Sequence, residues 1–364
     1  MDGRSAVADE RKLLGEGSAA LRSDRVRIAH QLYADALEAA TDDEMRAEAL
    51  EGLGHVAHRS GRPREALRLY EDALRLAGKE PWDRFDLADP IGRSYAAVGE
   101  TERATTIFVQ CVRRAKENED AIAQVRFASL LSYALTDQGK FDEAEHALEQ
   151  VLEAGAQIED PGSRALVEWA QARLRGEQGQ TQVAVEHARA ALDLLKRTDN
   201  EKLLATTYEL LASLYNDLGR AEDAQNLLRE GWPLLMTHGT PLQVAHYRIE
   251  EARALAGLGQ TEGAAAVAMR VVAQLDGTHP GDAGRAYVLL GEIFDGLGDV
   301  ARARQLYETG IGLLSKQGPS RYLASAYRRL AELFEAEYRT EDAIAVLKRA
   351  LLIQATVEST IGTD

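Results

Sequence analysis

An all-α solenoid of about nine stacked antiparallel helix pairs is the fold this sequence predicts, and three observations carry the prediction. Alanines recur about forty residues apart along the chain, at Ala29, Ala66, Ala104, Ala144, Ala184, Ala224, Ala264, Ala303 and Ala343. Five residues before the alanine stands a glycine in most repeats: Gly61, Gly99, Gly139, Gly179, Gly219, Gly259 and Gly298. Twelve residues before it every side chain is small: Gly17, Gly54, Gly92, Ser132, Ala172, Ala212, Ala252, Gly291 and Ala331. Self-similarity at a period of about 20–50 residues marks a repeat architecture.

Each column has a physical meaning. Compact residues recur seven after the alanine, from Ala36 and Ala73 through Cys111, Val151, Ala191, Gly231, Val271 and Gly310 to Ala350. Large apolar residues lie four after it, as Tyr33, Tyr70, Phe108, Leu148, Leu228, Tyr307 and Leu347. Small residues let two helix backbones approach, and the large ones fill the space beside them. The glycine fits a left-handed turn that ends the first helix, because it carries no Cβ to oppose it.

These columns resemble the tetratricopeptide repeat. Residues 50–74, LEGLGHVAHRSGRPREALRLYEDAL, and 289–311, LLGEIFDGLGDVARARQLYETGI, carry that family's pattern of small residue, turn, alanine, aromatic and small residue. The resemblance spans residues 10 to 355. It implies a right-handed superhelix whose first helices line the concave side, and a scaffold for binding. The family repeat is about 34 residues. The longer spacing here implies helices extended by about a turn. Long repeats of this sort resemble the sensor arrays of bacterial transcriptional regulators, most closely in YLASAYRRLAELFEAEYRTEDAIAVLKRAL at residues 322–351.

Taken in order, residues 1–9 are expected to be flexible. The repeats follow at 10–41, 42–78, 82–118, 119–160, 161–199, 200–239, 240–279, 280–318 and 319–358, as a single array, with a flexible tail at 359–364. In the first repeat Ser23-Asp24 replaces the turn glycine and Asp24 is placed to cap the next helix. The third opens after Pro81-Trp82, and Pro90 predicts that its first helix begins or kinks there. Asp160-Pro161-Gly162 parts the fourth and fifth. Gly231-Trp232-Pro233 predicts a kink or early end in the sixth, with a change of curvature after it. Thr240-Pro241, His279-Pro280-Gly281 and Gly318-Pro319 mark the last joints. The final helix carries Ile344, Leu347, Leu351, Leu352 and Ile353. These side chains either bury against the preceding repeats or meet a second copy or another partner.

Composition narrows the function. The chain has 364 residues, a formal net charge of −16 and 45% hydrophobic residues. Binding nucleic acid through phosphates or docking on an anionic membrane calls for the opposite sign of charge. The one cysteine, Cys111, sits in a small-residue column and reads as a buried hydrophobe. The polar N-terminus is no signal peptide, and no apolar run reaches the roughly 18 residues of a membrane span. A soluble, cytoplasmic protein is the expectation.

Catalytic motifs are missing: there is no phosphate-binding glycine loop, nucleophile elbow or paired-cysteine motif. No enzymatic activity and no cofactor are expected. Glu51, His55 and His58 share a helix face, with Asp86 and Asp89 in the next repeat. That set reads as a solvated polar face before it reads as zinc ligands. The predicted inner face is more informative. Eleven residues before each alanine stand Ser18, His55, Arg93, Tyr133, Arg173, Ser213, Arg253, Glu292 and Glu332. Neighbouring inward positions add Arg126, Ser129, Trp169, Thr206, Glu209, Asn216, His246 and Arg285.

The candidate partner-binding residues are therefore Arg93, Arg126, Tyr133, Trp169, Arg173, Asn216, His246 and Arg253. Arginine grips carboxylates through paired hydrogen bonds, and Trp, Tyr and Arg dominate binding hot spots. The expected function is capture of a protein or peptide segment, acidic or with a free C-terminal carboxylate. Replacing Arg93, Arg173 and Arg253 by glutamate is predicted to abolish binding without unfolding the array. The competing reading of these arginines pairs them with Asp86, Asp89, Glu177 and Asp217. Two other functions compete. One is a ligand- or peptide-responsive sensor acting with a separate transcriptional regulator, since no DNA-reading helix-turn-helix fits before residue 10. The other is self-assembly through a terminal repeat.

Overall fold

The computed structural model describes residues 3–23, 25–275, 277, 279–316, 318 and 320–359. Among them it is all-α, with eighteen helices and one short 3-10 turn, Pro81–Asp83. In chain order the helices form nine successive pairs. These are α1 (Gly3–Arg22) and α2 (Val26–Ala39), α3 (Asp43–Arg59) and α4 (Pro63–Ala77), α5 (Phe85–Ala97) and α6 (Thr101–Glu117), and α7 (Ala121–Asp137) and α8 (Phe141–Gln157). Then come α9 (Pro161–Glu177) and α10 (Thr181–Leu195), α11 (Glu201–Asp217) and α12 (Ala221–His238), and α13 (Pro241–Gly257) and α14 (Thr261–Leu275). The last are α15 (Pro280–Gly296) and α16 (Val300–Leu314), then α17 (Arg321–Ala336) and α18 (Thr340–Ser359). No helix among the described residues is long and apolar enough to cross a membrane.

The chain divides into two compact units, Met1–Ala134 with Gln150–Ile158, and Leu135–Glu149 with Glu159–Asp364, where the repeat pattern predicts one array. Within the first unit α1 touches α3 and α3 touches α5. Within the second, α9, α11, α13, α15 and α17 touch in turn. First helices that reach each other across successive repeats lie on the inner side of their stack.

Turns and caps follow the local chemistry. All seven turn glycines have positive φ, from 69° at Gly61 to 86° at Gly99, the left-handed region open to glycine. In the last repeat the same place is filled by Tyr338, also left-handed at φ 61°. Side chains cap several first helices: Asp42 accepts from the Met45 amide at 2.9 Å, Asp160 from Ser163 at 2.7 Å and Asn200 from Leu203 at 3.1 Å. Thr240 and Gln243 close a capping box on α13.

The alanine register is the spine of the packing: eight of the nine alanines are fully buried and Ala343 is 2% exposed. Where the small column is glycine it meets the large residue of its own pair, and their sizes are matched. A Cβ added to Gly54 would lie 2.6 Å from the Tyr70 ring, and one on Gly291 would lie 2.7 Å from Tyr307. Gly17 faces Tyr33, and Gly92 faces Phe108 at closer than contact distance. In the pairs Ala172/Ala188, Ala212/Leu228, Ala252/Ala268 and Ala331/Leu347 the large position is not aromatic, and the small one is alanine. Glycine appears where a ring must lie flat on the opposing helix.

Several boundaries depart from the sequence expectation. Residues 3–9 are helical, as part of α1, where a flexible start was expected. Ala6 and Ala8 favour helix and no breaker separates them from the following helix. The expected cap at Asp24 and all but the first residue of the expected tail lie outside the described residues. Helix α5 begins at Phe85 and runs through Pro90. Proline inside a helix costs about 3 kcal/mol. The same helix buries Leu87 and Ile91 to 0% and 1% exposure, each contributing about 1.5–3 kcal/mol, so burial offsets the breaker. Helix α12 likewise continues through Pro233 to His238, with Leu235 buried beyond the proline. On α18, Ile344, Leu351 and Leu352 are 49%, 57% and 70% exposed. The counterparts of Ile344 and Leu351 on α4 and α10, Leu67, Leu74, Val185 and Leu192, are buried.

Candidate functional site

Helical spacing sets the inner faces. Residues three, four and seven apart share a side of a helix, which aligns Arg126, Ser129 and Tyr133 on α7. It does the same for Trp169 and Arg173 on α9, for Glu209 and Asn216 on α11, and for His246, Glu250 and Arg253 on α13. Of the eight candidate residues, Arg93, Arg126 and Tyr133 fall in the first unit, and Trp169, Arg173, Asn216, His246 and Arg253 in the second.

In the first unit Arg93 pairs with Asp89 one turn earlier. Arg126 donates to the Phe85 carbonyl at 3.1 Å and lies 4.6 Å over the Phe127 ring. The acids near the candidate zinc set hold a cation of the chain itself. Arg84 donates two bonds of 2.9 Å to Glu51 and two, of 2.8 and 3.1 Å, to Asp86. His55 meets the Tyr70 hydroxyl at 2.9 Å, and His58 meets Ser94 at 3.0 Å. Burial pushes the Cys111 thiol up to about 12, so its thiolate is disfavoured.

The second unit carries a denser network. Arg173 on α9 donates to Asp137 at 3.0 Å. Arg253 on α13 donates to Asp217 at 2.6 Å and to Glu250 at 2.9 Å. Asn216 donates to the Glu250 carboxylate at 2.9 Å and to the Glu250 carbonyl at 3.0 Å. His246 lies 2.9 Å from Asp282, which also pairs with Arg285. Trp169 packs against the core shared by α9 to α13.

One register rule governs the arginines. An arginine eleven before its alanine reaches an acid seven before the alanine of the preceding repeat, 36 residues earlier; Arg173–Asp137 and Arg253–Asp217 both obey it. The position so related to Arg93, seven before Ala66, is Arg59, a cation that cannot hold it, and Arg93 pairs with Asp89 on its own helix. Glu177 occupies an acid position, but the residue it faces in the next repeat is Ser213. Of the acids that the competing reading set against these arginines, Asp89 holds Arg93 and Asp217 holds Arg253, and Arg173 is also held by Asp137, which was not among them. Sequence reasoning passed over Glu250 and Asp282, although each lies three residues before an inward arginine.

Burial alone would raise the Asp282 carboxyl, but His246 and Arg285 outweigh it and hold it well below the usual carboxylate range. Burial alone would lower His246, yet Asp282 holds it above the ordinary histidine value. The signs set a pH window. A depressed acid contributes stability above its unfolded pKa and loses it as pH falls. A raised histidine contributes below its unfolded pKa and loses it as pH rises through its folded value. Stability from this pair is expected to peak between about pH 4 and 6.5, the unfolded values of the two groups. It should decline as pH rises past the histidine's folded value. Melting temperature followed from pH 5 to 8 should fall in the wild type and stay flatter in His246→Gln; parallel curves would contradict the pairing.

Tetratricopeptide repeat models match residues 14–81 and 249–320, residues 128–158 and residues 205–230. Comparison with curated protein sequences gives no match. Among solved structures the fold is similar to that of a Rap protein complexed with Competence and Sporulation Factor. That likeness has a TM-score of 0.60 at 14% identity and covers 97% of this chain and 99% of the other. The apo form of the quorum sensor NprR from B. thuringiensis is similar at 15% identity with a TM-score of 0.59, over 84% of this chain and 87% of that one. A tetratricopeptide repeat protein from Parabacteroides merdae ATCC 43184 is similar at 16% identity with a TM-score of 0.52, over 79% of this chain and 99% of that one. Identities at this level speak to the fold alone.

Proposed function

The chain belongs to the tetratricopeptide repeat family, and we propose that it is a non-enzymatic scaffold that holds a peptide or protein segment along the inner faces of its first helices. The observation that carries this reading is the row of polar side chains on α9, α11 and α13 of the second unit. Contacts between repeats tie Arg173 to Asp137, Asn216 to Glu250 and Arg253 to Asp217. Side chains held this way lose less freedom when a partner arrives. The solved Rap structure, similar over nearly the whole chain, is a complex with Competence and Sporulation Factor, and NprR has been solved in complex with its cognate peptide NprX; both support the same use of the fold.

An acidic or C-terminal carboxylate partner would be gripped by Arg173 and Arg253 with Trp169 supplying apolar contact in the second unit, and by Arg93 beside Tyr133 in the first, each unit taken by itself. Each of these arginines already holds a carboxylate of the chain. A ligand carboxylate would have to exchange with it. The likeness to Rap and NprR also favours a regulatory version, in which the captured segment is a signalling peptide and the output is a separate regulator.

Panning the full chain against a library of random dodecapeptides tests the scaffold reading. Enriched peptides should bind in fluorescence anisotropy, and Arg173→Gln or Asn216→Ala should weaken them about tenfold or more, as loss of a charge-assisted contact does. Absence of any enriched peptide, or affinities indifferent to both substitutions in a folded protein, would overturn it.

A further inference from the structure

On the inner face of the second unit one carboxylate has no partner of its own. Arg173, Arg253 and Arg285 are each held by a carboxylate of the chain, and His246 faces Asp282. Glu250 accepts from Asn216 and Arg253. Glu209, at the middle of α11, receives no hydrogen bond; the charges of His246, Arg173 and Arg285 reach it only across space, and Glu250 opposes them. Counting charges on this face, Asp137, Glu177, Glu209, Asp217, Glu250 and Asp282 stand against three arginines and one histidine. The deficit is of positive charge, and it is located at Glu209.

We propose that Glu209 seats the cationic side chain of a lysine or arginine in the bound peptide, which makes this face selective for a basic residue over an acidic one. The inference rests on the peptide-scaffold reading and supplies its sign of charge. An incoming carboxylate would have to displace Asp137, Asp217 or Asp282 from an existing pair, and would leave the displaced acid uncompensated. An incoming ammonium or guanidinium displaces nothing and completes the one unmatched acid. The face continues past Glu209 in both directions, to Trp169 and Arg173 on α9 and to Glu250 and Arg253 on α13. A chain lying along it therefore offers a side chain at Glu209, and its own terminus lies elsewhere. Burial raises the Glu209 carboxyl above the usual range, which is the cost of holding it ready without a donor.

The test uses an N-acetylated random dodecapeptide library on the full chain, with wild type beside Glu209→Gln. The wild type should enrich lysine or arginine at one position. For the selected peptide, Glu209→Gln should lose about ten- to a hundredfold in affinity, the range of a hydrogen bond between charged groups. Replacing the peptide's basic residue by norleucine should cost the wild type the same factor and cost Glu209→Gln almost nothing. Enrichment of aspartate or glutamate, or equal norleucine losses in both proteins, would overturn the assignment to Glu209 and leave the scaffold reading standing. No enrichment of any peptide would overturn both. The substitution is isosteric and removes an unmatched, half-buried charge, so Glu209→Gln should melt no lower than wild type.

Discussion

Gly92→Ala is expected to destabilise the protein by about 1–3 kcal/mol, the usual penalty for overpacking a filled core, and Phe108→Leu is expected to rescue it. Alanine is the better helix former by about 1 kcal/mol, so a loss of stability would be a loss against propensity. The Phe108 ring lies against Gly92 and is 2% exposed, with no room to retreat. Phe108→Leu alone should also destabilise, by leaving a void. Together the two recreate the pairing that the chain already uses at Ala212 and Leu228. Urea denaturation of the four proteins gives the coupling. It should be favourable by about 1–3 kcal/mol, within the range measured for residues in contact. Additive losses would mean that ring and glycine do not answer to each other.

Arg253→Glu is expected to destabilise by about 2–4 kcal/mol, somewhat below the penalty for breaking a fully buried pair because the guanidinium is partly solvated. The new carboxylate would face Asp217 and Glu250, which the arginine now holds at 2.6 and 2.9 Å. Glu250 is 9% exposed and has little water to turn to. Arg253→Gln should lose less, and adding Glu250→Gln to Arg253→Glu should recover part of the loss. Denaturation midpoints at low and high salt check both statements, and an Arg253→Glu protein as stable as wild type would contradict them. Reversing the charge of this arginine is therefore expected to cost stability as well as any ligand contact, and neutral substitutions are the cleaner probes of binding.

Much of the fold was legible because it is periodic. The alanine register, the turn glycines and the small column each repeat along the chain, and the buried alanines and positive φ values answer to them one by one. What a period does not encode was harder to read. Pro90 and Pro233 looked like breakers because a local rule was applied without the burial of Leu87, Ile91 and Leu235 that overrides it. The inward arginines were visible, but their partners follow an offset of 36 residues between neighbouring repeats, and that offset emerges only when two helices are placed side by side. Asp137, which holds Arg173, was not among the acids set against the arginines from sequence, because it lies 36 residues away along the chain. Glu209 was recognised as an inward residue. Its lack of a donor is a property of its neighbours and could not be read from its own position.

The register that ties Arg173 to Asp137 and Arg253 to Asp217 also bears on how the second unit comes apart. In a stack of near-identical modules, stability is the sum of each module's intrinsic term and a coupling to its nearest neighbour. The alanine and glycine columns act mostly inside a module, while these ionic ties act between modules. Raising ionic strength or neutralising the acids weakens the coupling and spares the modules. Unfolding under those conditions should broaden before its midpoint moves far, as blocks of repeats begin to melt on their own.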